Sequence, residues 1–352
     1  MKALFVSRDI SNKTDGGCVV ARRNRQLLIS LGYDVVDFMI KTPSICTRIK
    51  NILLNESYGD SGKLRKMMKN HLRESYDIVF FDSSCYGGYL RKFAEAGFKT
   101  ICFFHNAEAV YYGAKYQVSK KLQDKLMIQY IIRNERLSVE NSSYLISINE
   151  RDSNALKSLY GKGADFVLPT TFDKVEYDET LYNADSEDYL LFVGTNFFAN
   201  QEGLRFYIDK VAEFVKTKLV VVGDISKAFV HEQVPANVEF VGSVNDLTPY
   251  YVNAKAVVAP IFSGSGLKTK TIEALRFGKT IIGTTESFEG VPIDENPKIG
   301  FLCNTPEDFI QAINNRCILK KNIYSLELFN NYFSTESQLQ RIRSFFKEKK
   351  LI

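Results

Sequence analysis

Short apolar runs and longer stretches of helical period alternate from one end of this chain to the other, and few architectures accept that pattern. Runs at 3–7, 34–39, 78–82, 100–104 and 144–148 read as buried strands, with a shorter one at 165–169. Helical spacing fills 19–31, 63–74, 89–96 and a long stretch near 119–140, and Asn149-Glu150-Arg151-Asp152 opens another helix. An acidic, polar segment follows at 172–188. The alternation then restarts, with a strand entering a glycine turn at 189–196 and further strands at 218–222, 238–241, 254–259 and 280–282. Helices are expected at 202–215 and 268–277. Strands separated by helices pair in parallel, because each crossover returns the chain to the same end of the sheet. The chain therefore reads as α/β, with two doubly wound domains at 1–170 and 189–334 joined by a linker at 171–188. At 352 residues it is long enough for two cores. In 335–350, Leu339, Ile342, Phe345 and Phe346 fall at helical spacing.

Composition narrows the class. A hydrophobic content of 45% and a charged content of 25% are those of an ordinary soluble globular protein. No apolar run approaches membrane-spanning length, and the first residues read as a buried strand, not as a signal segment. Six scattered cysteines without a Cys-x-x-Cys pair suggest reduced core thiols and a cytoplasmic location. The net charge of +5 hides an asymmetry, roughly +9 over 1–170, −8 over 171–340 and +4 over the last twelve residues. A basic first half suits an anionic partner, or simply a solvated surface. Lys63, Arg65, Lys66, Lys69 and Arg73 share a helix with Leu64, Met67, Met68 and Leu72. That pattern fits contact with an anionic membrane, and equally a solvated helix packed by its apolar side. The 19 tyrosines and 26 phenylalanines sit inside strand and helix patterns, so nucleic-acid binding is not expected.

The densest chemistry lies at 264–275, Gly264-Ser265-Gly266-Leu267-Lys268-Thr269-Lys270-Thr271-Ile272-Glu273-Ala274-Leu275. A glycine turn leaving a strand and opening a helix offers free N–H groups to an anion. Two lysines at the positive end of a helix dipole call for a reason, such as a bound phosphate. Phe277-Gly278-Lys279-Thr280-Ile281-Ile282 then reads as helix end, glycine stop and buried strand. The whole stretch resembles the donor-binding motif of the retaining glycosyltransferases of family four. It carries the Gly-x-Gly-x-basic-x-Lys-x-x-Glu-Ala form in full, and Thr284-Thr285-Glu286-Ser287-Phe288-Glu289-Gly290 is close to that group's next loop. The resemblance is strong over 189–290, moderate at 1–40 and 100–160, and weak at 41–95.

The resemblance implies a GT-B fold, two Rossmann-like domains facing across a cleft with the final helix, 335–352, crossing back to the first. It implies transfer of a sugar from a nucleotide-sugar donor to a hydroxyl of a glycan or lipid-linked acceptor, with retention, without a metal ion or other cofactor. Backbone N–H groups of Ser265, Gly266 and Leu267 would hold the diphosphate with Lys268 and Lys270, and Glu273 would take the ribose hydroxyls. Gly194, Thr195, Asn196 and Gly223 would border the donor, as would Gly16 and Gly17 after the first strand. His105, at the carboxyl end of a parallel strand, would steady the sugar beside the reacting carbon, with Asn106, Glu108 and Arg151 on the acceptor side. Arg151 equally fits a helix start, and a lone histidine is often structural. Two departures stand out. Ser265 replaces the first of two glutamates usual in the family, and Gly194-Thr195-Asn196 lacks the Arg and Lys that usually follow. Lys268 and Lys270 would then carry the phosphate charge. The missing first glutamate keeps alive a catalytically inactive nucleotide-sugar-binding protein, and a nucleotide-sugar 2-epimerase of the same fold is a second alternative, one that needs acid/base carboxylates the sequence does not place. The absence of Gly-x-Gly-x-x-Gly after the first strand argues against a dinucleotide dehydrogenase.

Overall fold

The protein is described by a computed structural model covering residues 1–10, 16–41, 43–54, 56–57, 59–176, 188–264 and 267–352. Most of the segment expected as a linker, and the turn residues Ser265 and Gly266, lie outside the described residues. Two compact units divide the chain. One comprises Met1–Thr170 with Leu339–Ile352, the other Thr171–Gln338.

The first unit is built on β1 (Lys2–Arg8), β2 (Asp34–Ile40), β3 (Ile78–Phe81), β4 (Thr100–Phe104), β5 (Tyr144–Ser147) and β6 (Phe166–Val167), all parallel in the order β2-β1-β3-β4-β5-β6. Its crossovers are α1 (Gly16–Ser30), α2 (Ile45–Leu53), α3 (Gly62–His71), α4 (Gly87–Glu95), α5 (Glu108–Ser119), α6 (Leu122–Asn141) and α7 (Glu150–Tyr160). Alternate strand residues feed two cores, as the two-residue strand period requires. Phe5, Phe80, Phe103 and Ile146 face α1 on one side, and Val6, Phe81, Phe104 and Leu145 face α3, α4 and α7 on the other. Each such fully buried side chain contributes roughly 1.5–3 kcal/mol. The long helix expected near 119–140 is α6, and the unexpected α5 before it ends where Lys120 adopts a left-handed φ of 50°. His71 is half-buried, with Nδ1 2.7 Å from the Tyr76 hydroxyl.

The second unit holds β7 (Tyr189–Val193), β8 (Lys218–Val222), β9 (Val238–Gly242), β10 (Ala256–Ala259), β11 (Thr280–Gly283) and β12 (Gly300–Leu302), parallel in the order β12-β11-β10-β7-β8-β9. Its helices are α8 (Phe198–Lys210), α9 (Thr248–Asn253), α10 (Thr269–Arg276), α11 (Pro306–Asn315) and α12 (Ile323–Leu328). The sequence pattern missed α2, α5, α9, α11, α12 and β12, and it started α8 four residues late. That last shift matters, because it places Asn200 inside the helix. The final helix, α13, spans Thr335–Glu348. Its Ile342, Phe345 and Phe346 pack into the α1 side of the first unit's core. Tyr33 donates its hydroxyl to the Leu351 carbonyl at 2.5 Å, and Arg343 donates to that of Ser30 at 2.8 Å.

Candidate active site

In the second sheet the chain winds outward in opposite directions from β7 and its neighbour β10. Crossovers from such a pair leave the carboxyl ends of the two strands open, which is where doubly wound sheets bind ligands. Of the sequence-predicted donor residues, Gly194, Thr195, Gly223, Lys270 and Glu273 come together there. Gly194 follows β7, and Gly223 follows β8 with a φ of 120°, in the region that favours glycine. A Cβ at Gly223 would lie 2.1 Å from the Gly194 carbonyl oxygen, so the two turns can pass only without it. Asp224 accepts the Asn196 N–H at 2.8 Å, and Asn200 donates its amide to the Thr195 carbonyl at 2.9 Å. Gly194, Thr195, Gly223, Val244, Lys270 and Glu273 line a cavity of about 360 Å3. A neighbouring hollow of about 190 Å3 includes Ser263, Leu267 and Lys268, and the two share Asn200, Thr269 and Lys270.

Lys270 lies one residue into α10 and is 8% exposed. Its ammonium donates to Asn200 Oδ1 at 2.6 Å and sits 4.4 Å from the centre of the Phe192 ring. Burial, with Lys268 close by, pulls its pKa from 10.5 to about 7. Lys268 does not stand in the first turn as expected. It is the N-cap residue, extended in backbone, and it pairs with Glu286 at 2.6 Å. The positive charge at this helix start is therefore partly answered by the protein itself. The loop that carries Glu286 is pinned by side chains. Thr271 donates to the Ser287 carbonyl at 2.8 Å, and the Thr284 and Ser287 hydroxyls bond the Ile261 and Ala259 carbonyls at the end of β10. Glu273, one turn into α10, is half-buried and its carboxyl is pushed upward by burial, against the pull of Arg276 and Lys270.

In the first unit, His105 stands at the carboxyl end of β4 with its side chain 19% exposed. Its Nε2 lies 3.0 Å from both the carbonyl and the carboxylate Oδ2 of Asp82, at the end of β3. Asn24 of α1 donates to the other carboxylate oxygen at 2.6 Å. The stretch after His105 is held from below. Asp152 accepts the Ala107 N–H at 2.9 Å, while Glu135 accepts those of Glu108 and Ala109 at 2.8 and 3.2 Å. Burial pushes the Glu135 carboxyl up to about 7. Asn106 and Glu108 follow directly in this stretch, and burial raises the Glu108 carboxyl. Arg151 lies beside Asp152 in α7, whose N-cap is Asn149, accepting from the Asp152 N–H at 2.7 Å. Gly16 and Gly17 open α1. Asp82, Asn24, Asn200 and Glu286 escaped sequence reasoning; only Asp82, placed at a strand end, carried a usable positional signal. Among the described residues no group of three or more His, Cys, Asp or Glu is placed to hold a metal ion, and no helix is long and apolar enough to cross a membrane.

Two six-stranded parallel sheets wound in this way define the GT-B architecture, the fold of a large class of glycosyltransferases. Residues 187–317, within the second unit, match the family model described as glycosyl transferases group 1. The lipopolysaccharide outer core galactosyltransferase WaaB superposes with a TM-score of 0.66 at 14% identity, over 99% of this chain and 100% of that one. HepE of Anabaena, crystallised in complex with UDP, gives 0.65 at 14% identity over 99% and 100%. WaaG, a glycosyltransferase involved in lipopolysaccharide biosynthesis, gives 0.62 at 14% over 97% and 99%. An uncharacterised 44.6 kDa protein in the cps region of Klebsiella pneumoniae is 24% identical over 285 residues, 75% of this chain and 70% of that protein.

Proposed function

We propose that this protein transfers a hexose from a nucleotide-sugar donor to a hydroxyl of a glycan or lipid-linked acceptor, with retention and without a metal ion, in the synthesis of a cell-surface polysaccharide. The observation that carries the reading is the meeting of Lys270, Glu273 and the two glycine turns around one cavity, inside the segment that matches the group 1 domain. A departing nucleoside diphosphate accumulates negative charge, and a preorganised cation in a dry setting stabilises it most. Lys270 suits that task. It is buried, and its one side-chain hydrogen bond among the described residues goes to a neutral amide. Glu273, further along the same helix, takes the ribose hydroxyls. The leaving phosphate can accept the acceptor's proton, so no separate base is assigned. His105 serves the sugar. The UDP complex of HepE and the cps-region relative make a uridine nucleotide and a capsule-type product the first to try.

The test is a thermal-shift panel of UDP, GDP, ADP and CDP, repeated with Lys270→Ala and Glu273→Ala and in the presence of EDTA. A rise in melting temperature for one nucleotide, unaffected by EDTA and lost in both variants, is the expected result. No shift for any nucleotide would sink the donor-site reading. Incubating the matching nucleotide sugar without acceptor then separates the chemistries: slow hydrolysis for a transferase, an epimerised nucleotide sugar for an epimerase, and neither for an inactive binding protein.

A further inference from the structure

The His105 ring is oriented by more than its own backbone. Its Nε2 faces two oxygens, the Asp82 carbonyl and the Asp82 carboxylate, both at 3.0 Å. A carbonyl oxygen only accepts, as does an ionised carboxylate, so Nε2 must carry a proton, and Nδ1 is left as the nitrogen that can accept one. The Asp82 side chain is 2% exposed, and Asn24 of α1 fixes its second oxygen at 2.6 Å. Thus α1, β3 and β4 meet on one buried carboxylate at the carboxyl edge of the first sheet, beside the β1–β3 pair where its winding reverses. A buried carboxylate hydrogen-bonded by a neutral amide and an imidazole is costly to keep for packing alone.

We propose that Asp82 is a positioning residue for His105: it holds the imidazole as the Nε2–H tautomer with Nδ1 presented to the substrate, and Asn24 sets the angle of its carboxylate. The proposal rests on the transferase reading for its chemical purpose, but the tautomer stands independently of it. Arg23, Asp82 and Glu108 are the charged groups that act on this cluster. Two substitutions separate geometry from charge. Asp82→Asn can still accept from Nε2, and once the Asn24 amide turns over, its amide can donate to Asn24 Oδ1, which has no partner among the described residues. Asp82→Ala loses both side-chain contacts and leaves Nε2 only the main-chain carbonyl of residue 82.

Only three histidines are present, so the imidazole nitrogens of 15N-histidine-labelled protein give three resolvable sets of long-range correlations, with His105 assigned by its loss in His105→Ala. With the ring neutral, native protein and Asp82→Asn should show a single Nε2–H pattern, and Asp82→Ala a partial shift toward Nδ1–H, since the residue-82 carbonyl still accepts from Nε2. UDP release from UDP-glucose should fall about 100-fold in kcat for Asp82→Ala, with KM little changed, and about tenfold or less for Asp82→Asn. Asp82→Ala combined with His105→Ala should be no slower than the slower single variant, since both remove one unit. An Nδ1–H pattern in the native protein overturns the proposal whatever the enzyme does. So does a double variant whose losses multiply, or a wild-type kcat in Asp82→Ala. If neither UDP-glucose nor another nucleotide sugar turns over, the transferase reading fails, while the tautomer measurement still decides the role of Asp82.

Discussion

Lys270 stands in the first turn of α10 and Lys279 three residues past its end, just before β11, and the contrast between them separates a candidate site from its scaffold. Burial, helped by neighbouring lysines, pulls both ammonium groups from 10.5 to about 7. Lys279 is 2% exposed and donates to three main-chain carbonyls, those of Val252, Ala254 and Lys320, at 2.8, 3.0 and 3.0 Å. Every N–H of that ammonium is spent on holding β11 and the segment before α12 against the turn that follows α9. Lys270, also buried, has among the described residues one side-chain hydrogen bond, to Asn200, and an aromatic face. A buried cation with spare donors beside a cavity is expensive unless something fills the place of the missing acceptors. Similar burial and the same chemistry therefore lead to opposite expectations.

Methionine, close in length and without charge, breaks the comparison cleanly. Lys279→Met strips three buried carbonyls of a donor, at a cost of about 3 kcal/mol. For a unit the size of Thr171–Gln338 that lowers its melting temperature by roughly 6–12 °C. Nucleotide affinity, measured by calorimetry, should stay within about twofold. Lys270→Met should do the reverse. The melting temperature holds or rises, since an underpaired buried charge is removed. UDP affinity falls about 30-fold, the loss of a charge-assisted hydrogen bond worth about 2 kcal/mol. If both variants lost stability and neither lost affinity, Lys270 would be scaffold as well.

The titration of Lys270 sharpens the same contrast. At pH 8 the empty site holds a mostly neutral amine, because its pKa is about 7 rather than 10.5. A diphosphate favours the charged form, so binding at pH 8 takes up close to one proton. Affinity should be level below pH 7 and weaken above it, by up to about tenfold per pH unit or 1.4 kcal/mol. The terminal phosphate, ionising near 6, is constant over that range. Calorimetry in two buffers of different ionisation enthalpy measures the uptake, and Lys270→Met should abolish it. Lys279 is spectator to the reaction, and Lys279→Met should leave the uptake intact.

What the sequence made legible follows from where the information is local. Doubly wound winding is written in strand–helix alternation, and the glycine turn with its following helix marks a candidate anion site; both depend on neighbours within about ten positions. The elements that went unseen are short or weakly periodic. Examples are β12, three residues long, and α9, six residues opened by Thr248-Pro249. The site residues that went unseen are those whose role is made by meeting something distant. Asn200 reaches Lys270 across 70 positions and Asn24 reaches Asp82 across 58. No local pattern distinguishes such an asparagine from one in solvent. Lys268 shows the converse: its place at the helix start reads as waiting for a phosphate, and the pairing with Glu286, 18 positions on, is invisible to any local pattern.

That pair yields the smallest and most discriminating prediction. The Lys268–Glu286 contact is short, at 2.6 Å, and both side chains are largely shielded, at 12% and 21% exposed. An incoming diphosphate has to compete with Glu286 for this ammonium, or be repelled by its carboxylate. Glu286→Gln keeps the shape and a hydrogen-bonding oxygen while removing the charge. If Glu286 only restrains Lys268, UDP should bind about threefold more tightly in Glu286→Gln, a gain of about 0.7 kcal/mol typical of a partly exposed ion pair. Lys268→Ala should weaken it by a similar factor. The same Glu286→Gln change should then leave the ratio of affinities for UDP-glucose and UDP unaltered. A variant that binds UDP normally but loses its preference for the sugar nucleotide would place Glu286 on the sugar. It would then stand in for the carboxylate that Ser265 lacks, and the loop 284–287 would belong to the site instead of to its support.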